Sequence, residues 1–149
     1  MKHKELMDRA ERWLRGARRC SVVLMRFVAT GVYEVPDAVG WRGKESIRIE
    51  CRTTRRAVMR DARRLARRDG RDAVGGQRYF LVPPRTVESA ELPDGWGLLE
   101  CCPKVIRIAR DVAPPDALSD LRAAWRLRNE VAMLTAALSR AARHRCRCH

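Results

Sequence analysis

The chain has 149 residues, 34% charged and 46% hydrophobic, a size and balance that fit one folded domain and argue against wholesale disorder. It carries 32 basic and 18 acidic residues, a formal charge of +14, and lysine stands only at positions 2, 4, 44 and 104, so 28 of the cations are arginines. No apolar run approaches the roughly 20 residues of a membrane span, and the opening Met-Lys-His-Lys-Glu-Leu-Met-Asp has no signal-peptide core, so a cytoplasmic protein with reduced cysteines and no membrane partner is expected.

Leu6, Ala10, Trp13, Leu14 and Ala17 recur at three- and four-residue spacing and predict an amphipathic helix over 3–18. Residues 20–28 read as a strand and 32–40 as a second extended stretch, where Pro36 lacks an amide hydrogen and marks an edge or irregularity. Gly40-Trp-Arg-Gly43 reads as a turn. Residues 46–52 alternate strictly, with Ile47, Ile49 and Cys51 on one face and Ser46, Arg48, Glu50 and Arg52 on the other. Thr53 or Thr54 caps the next helix, about 54–68, whose thin apolar line is Val58, Ala62 and Leu65. Residues 77–83 form a strand stopped by Pro83-Pro84, and 96–101 and 104–109 are β-type. Pro114-Pro115-Asp116 opens a long helix to about 143, with Leu118, Leu121, Trp125, Val131, Leu134 and Leu138 as its apolar stripe. One domain is expected over 1–143, followed by a disordered basic Cys/His tail, 144–149.

Chemistry concentrates at 34–52. Glu34 and Asp37 share one extended segment, and Glu50 and Arg52 share a strand face. If the two strands are neighbours, Asp37 and Glu50 converge, with Glu34 as a further acidic candidate. Two carboxylates with waters and a substrate phosphate suit Mg²⁺, which would polarise a phosphodiester and activate water. A cation at 52 would hold the attacking water or the scissile phosphate. The plainer alternative is that Glu50 and Arg52 form a same-face ion pair on an exposed strand.

Pro36-Asp37, twelve intervening residues, then Glu50-Cys51-Arg52 resembles the PD-(D/E)XK nuclease signature. The α-β-β-β-α-β order also resembles that superfamily's core. Glu34-Val-Pro-Asp-Ala-Val-Gly-Trp41, Ser46–Arg55, Arg78–Pro83 and Glu91–Glu100 resemble small bacterial and phage members near the MmcB-type DNA repair proteins, over about residues 5–140. The resemblance implies an α/β restriction-endonuclease-like fold with a mixed central sheet and a long C-terminal helix. It implies Asp37, Glu50 and Arg52 as catalytic positions, and Asp37, Glu50 and the Cys51 carbonyl as ligands for Mg²⁺ or Mn²⁺. Two departures stand out. The signature's lysine is Arg52, which stays protonated and cannot accept a proton, though it can bind phosphate. The acidic residue such relatives carry near position 57 is here Ala57.

The helix after this strand is an arginine ladder, with 56, 60, 63, 64, 67 and 68 followed by Arg71 and Arg78. It is either a solvated face or a track for a nucleic-acid backbone that presents a phosphate at Asp37 and Glu50. Arg55, Arg56, Arg60, Arg63, Arg64, Arg67 and Arg78 are the candidate contacts, with DNA favoured over RNA. Gly43-Lys44 lacks the remaining residues of a phosphate loop, Gly at 38 and Ser or Thr at 45. Cys101-Cys102 and Cys146-Arg-Cys148-His149 match no regular zinc spacing, and Cys20 and Cys51 read as core. Trp41 either stacks on a base or packs in the core; His3 and His144 carry no assigned role. Three functions compete: a metal-dependent phosphodiesterase of DNA repair or phage DNA metabolism, a catalytically weakened nuclease fold that binds DNA, and a basic RNA-associated protein without an active site.

Overall fold

Strict alternation makes β3 (Glu45–Cys51) the centre of the molecule. The computed structural model describes residues 1–67, 70–115 and 121–147. β1 (Val22–Met25), β2 (Ala38–Arg42) and β3 form an antiparallel meander. β4 (Gln77–Val82) and β5 (Gly97–Cys101) then run parallel to β3, and β6 (Ile106–Arg110) closes the sheet antiparallel to β5. The spatial order is sequential from β1 to β6. Parallel pairing of β3 with β4 requires a crossover, and α2 (Arg55–Ala66) supplies it.

The two side-chain faces of the sheet are covered by different helices. Ile47, Ile49 and Cys51 join Tyr79, Leu81, Leu99 and Cys101 beneath α1 (His3–Arg15), which contributes Leu6, Ala10 and Leu14. Each buried Leu there contributes about 1.5–3 kcal/mol of transfer free energy. On the opposite face, Val58 of α2 packs with Phe80, Val82, Trp96 and Leu98. Val39, Trp41 and Val74 pack against Met133 of α3 (Leu121–Arg147). The result is a helix layer on each side of a mixed sheet. Element order, mixed sheet and long C-terminal helix are those of a restriction-endonuclease-like core.

Three local expectations are corrected. Gly40 and Trp41 lie in β2 rather than in a turn, because a two-residue connection at Gly43 and Lys44 completes the hairpin. The expected stripe of α3 faces the core only in part: Leu134 packs against the cluster of Val39, Trp41 and Met133, but Val131 and Leu138 are exposed, while Ala123, Asn129, Glu130 and Met133 are buried. The helix is anchored by a polar group. Glu130 accepts from Trp41 Nε1 at 3.0 Å, Ser46 Oγ at 3.0 Å and Gly75 N at 3.1 Å, and that fixes its rotation. Third, α3 continues to Arg147, so residues 144–147 are helical rather than a disordered tail. Arg68, Asp116, Leu118, Cys148 and His149 lie outside the described residues. Among the described residues no helix is long and apolar enough to cross a membrane.

Candidate functional site

The hairpin register brings the two expected carboxylates together. Ala38 pairs with Ile49, so Asp37 and Glu50 stand one step beyond, on the face opposite α1. Both line a cleft of about 370 Å³ with His3, Arg26, Val35, Cys51, Arg52, Ala57, Arg60, Asp61 and Arg64.

The Arg52 guanidinium lies between those carboxylates. Its Nη1 donates to Asp37 Oδ2 at 2.7 Å and to the Cys51 carbonyl at 2.6 Å. Its Nη2 reaches Glu50 Oε2 at 3.2 Å, and Nε donates to Asp61. The network continues inward. Arg48, 2% exposed, donates from Nε to Glu50 Oε1 at 2.8 Å and pairs through Nη2 with Glu34 Oε2 at 3.3 Å. Glu34 Oε1 in turn accepts from Arg64 Nη1 at 2.7 Å. Asp37 Oδ2 also accepts the Cys51 amide at 2.8 Å, and His3 Nε2 lies 3.5 Å from it. Four carboxylates are thus interleaved with three arginines, an arrangement that offsets the cost of taking charges out of water.

The expected Mg²⁺ or Mn²⁺ centre is therefore overturned. Among the described residues no group of three or more His, Cys, Asp or Glu side chains is placed to hold a metal ion. Each expected ligand, Asp37, Glu50 and the Cys51 carbonyl, is already engaged by Arg52. The plainer expectation also changes: the Glu50–Arg52 pair forms, but Glu50 is buried rather than on an exposed strand.

Burial pushes the Glu50 carboxyl up; Arg48 and Arg52 pull it back and Asp37 adds to the rise. Burial alone would lower Arg52, but Glu50, Asp37 and Asp61 outweigh it and hold the guanidinium more firmly protonated. Arg52 thus binds anions and takes no proton. The Cys51 thiol is pushed well up by burial, with Asp37 and Glu50 adding, as suits an inert core side chain.

Thr54 Oγ1 caps α2 by accepting the Ala57 amide at 3.2 Å. Val58, Asp61 and Ala62 face the sheet, so the 3.6-residue period turns the arginines outward. The candidate contacts then divide. Arg55 pairs with Glu91, Arg64 with Glu34, and Arg78 lies over the Trp96 ring at 4.9 Å. Arg56, Arg60, Arg63 and Arg67 are exposed and make no ion pair among the described residues. Arg60, Arg63, Arg64 and Arg67 line a second cleft of about 420 Å³, which shares Arg60 and Arg64 with the first.

Three contributors were not legible as such. Asp61 stands one helical turn beyond Ala57, and both line the cleft; that four-residue offset was the available signal. Arg48 and Glu50, opposite charges two apart on a strand, signalled a same-face pair, but not its burial. His3 is brought in by the start of α1, which no local pattern announces. Trp41 is 5% exposed and bonded to Glu130, so of its two readings core packing, the favoured one, holds and base stacking does not.

No protein-family model matches the chain, and no curated protein sequence matches it. A solved structure of a protein of unknown function from Silicibacter pomeroyi is similar: 22% identical, with a TM-score of 0.62, covering 97% of this chain and 92% of that chain. The likeness spans nearly the whole of both chains and establishes a shared α/β fold.

Proposed function

We propose that this chain is a DNA-binding module built on a nuclease-type fold whose carboxylate site is closed by its own arginine. The resemblance of Asp37, Glu50 and Arg52 to the PD-(D/E)XK pattern belongs to this proposal, with the lysine position turned from chemistry to structure. The observation that carries it is the placement of Arg52, which engages Asp37, Glu50 and the Cys51 carbonyl at once. The exposed arginines of α2 and the formal charge of +14 support a polyanionic partner. A salt titration tests it. Changing Arg60, Arg63 and Arg67 together to Gln should lower the magnitude of the log–log salt slope by about 0.9 for each duplex phosphate no longer neutralised, or about 0.7 on single strands. Equal slopes for wild type and triple variant would remove α2 from the interface. Tighter binding to RNA than to DNA of the same length would overturn DNA as the ligand.

A further inference from the structure

We infer that Tyr33 is a base-stacking platform beside the arginine strip and makes single-stranded DNA the preferred ligand, an inference that rests on the DNA-binding proposal above. The loop between β1 and β2 is tied at several points. The Arg26 amide donates to the Asp37 carbonyl at 2.9 Å, and the Val32 amide to the Ala29 carbonyl at 3.2 Å. Ala29 and Val32 are buried with Val39, Trp41 and Met133. Phe27 lies under the Arg140 guanidinium, 4.3 Å from its ring centre.

On this anchored loop the two neighbours of Tyr33 turn inward. Val32 enters the core and Glu34 joins Arg48 and Arg64. Tyr33 is left 84% exposed, the most exposed of the large apolar side chains among the described residues. Its backbone is held one residue from Glu34, whose carboxylate fixes Arg64 in the strip. Val35, two residues on, lines the same cleft as Arg26, Arg60 and Arg64. A strand held by Arg60, Arg63 and Arg67 would then meet an outward aromatic ring on the loop whose next residue fixes Arg64. Aromatic rings take the faces of unstacked bases, and a duplex keeps those faces inside its own stack. The arginines bind the phosphates of either form; the ring needs an unstacked base.

The test is fluorescence anisotropy at fixed salt with a labelled oligo-dT and a duplex of equal length. It uses the full chain as wild type, Tyr33→Ala, Tyr33→Phe and the Arg60/Arg63/Arg67→Gln triple variant. Wild type should bind the single strand more tightly than the duplex. Tyr33→Ala should weaken single-strand binding roughly 5- to 150-fold, the range for removal of one base–ring stack, and leave the duplex within about twofold. Tyr33→Phe keeps the ring and should retain the preference. Unchanged single-strand binding by Tyr33→Ala, or a duplex preference in wild type, would overturn the stacking inference; if the triple variant still bound more weakly, the DNA-binding proposal would survive. No binding of either DNA by wild type would overturn both. Unfolding curves matching wild type check that the exposed substitutions leave the fold intact.

Discussion

Arg52→Ala removes a guanidinium shared by Asp37, Glu50 and Asp61 and by the Cys51 carbonyl. The Arg52 side chain is only 19% exposed, so the loss falls in a desolvated network rather than on the surface. Glu50 keeps Arg48 and Asp37 keeps the Cys51 amide, but the cluster gains an uncompensated negative charge. Breaking a buried pair by removing one partner costs about 3–5 kcal/mol, and for a chain of this length each kcal/mol lowers Tm by about 2–4 °C, which gives a fall of about 6–20 °C. The loss should shrink on acidification. Glu50, already raised by burial, loses one of the two guanidinium charges that pull it back, so the folded state takes up a proton before the unfolded one and the variant gains stability relative to wild type as pH falls through that range. Arg52→Lys should recover only part, because an ammonium lacks the planar fork that reaches several partners. Urea unfolding followed by tryptophan fluorescence at pH 7 and pH 5 measures both effects. A change within about 0.5 kcal/mol at pH 7, the range of ordinary surface substitutions, would refute the buried-clamp account, as would a deficit that widens at pH 5.

Glu130→Gln leaves one acceptor oxygen for the donors from Trp41, Ser46 and Gly75, and should cost about 1–3 kcal/mol with a shift in Trp41 emission; unchanged stability and emission would remove Glu130 as the anchor of α3. Glu50, raised chiefly by burial, should titrate above the ordinary glutamate range in carboxyl-carbon NMR, and Glu91, lowered by its hydrogen bond from Arg55, below it. The Glu50 contribution to stability is then fully present below the unfolded pKa and is lost as pH rises through the raised one, and Glu50→Gln should abolish that part of the pH dependence. Gly75→Ala puts a Cβ 2.3 Å from Arg48 Cβ at a φ of +85°, and should cost more than about 2 kcal/mol through backbone and clash together. Gly43→Ala, at φ +58° with nothing within 4 Å, should cost about 1–2 kcal/mol; equal losses in urea unfolding would refute the Arg48 clash.

Element order, the α1 stripe and the alternation of β3 were legible in the sequence, because periodicity records local burial; the convergence of Asp37 with Glu50 hung there on the two strands being neighbours, and the hairpin at Gly43 and Lys44, not a turn over 40–43, sets its register. The same alternation placed Ile47, Ile49 and Cys51 together beneath α1. It left open whether the other face was wet, and only the docking of α2 and α3 decided that Ser46, Arg48 and Glu50 are buried. The direction of α3 depended on Glu130 finding donors more than fifty residues away, a polar match that a hydrophobic stripe does not encode. The arginine ladder was visible as composition. Its division into Arg60, Arg63 and Arg67, without an ion pair among the described residues, and committed Arg55 and Arg64 depended on Glu91 and Glu34, residues of other elements. Spacing alone does not distinguish a carboxylate pair awaiting a cation from one already neutralised. That difference lies in the reach of Arg52 across two strands and into Asp61 of α2, a matter of distance in space and burial rather than of order along the chain.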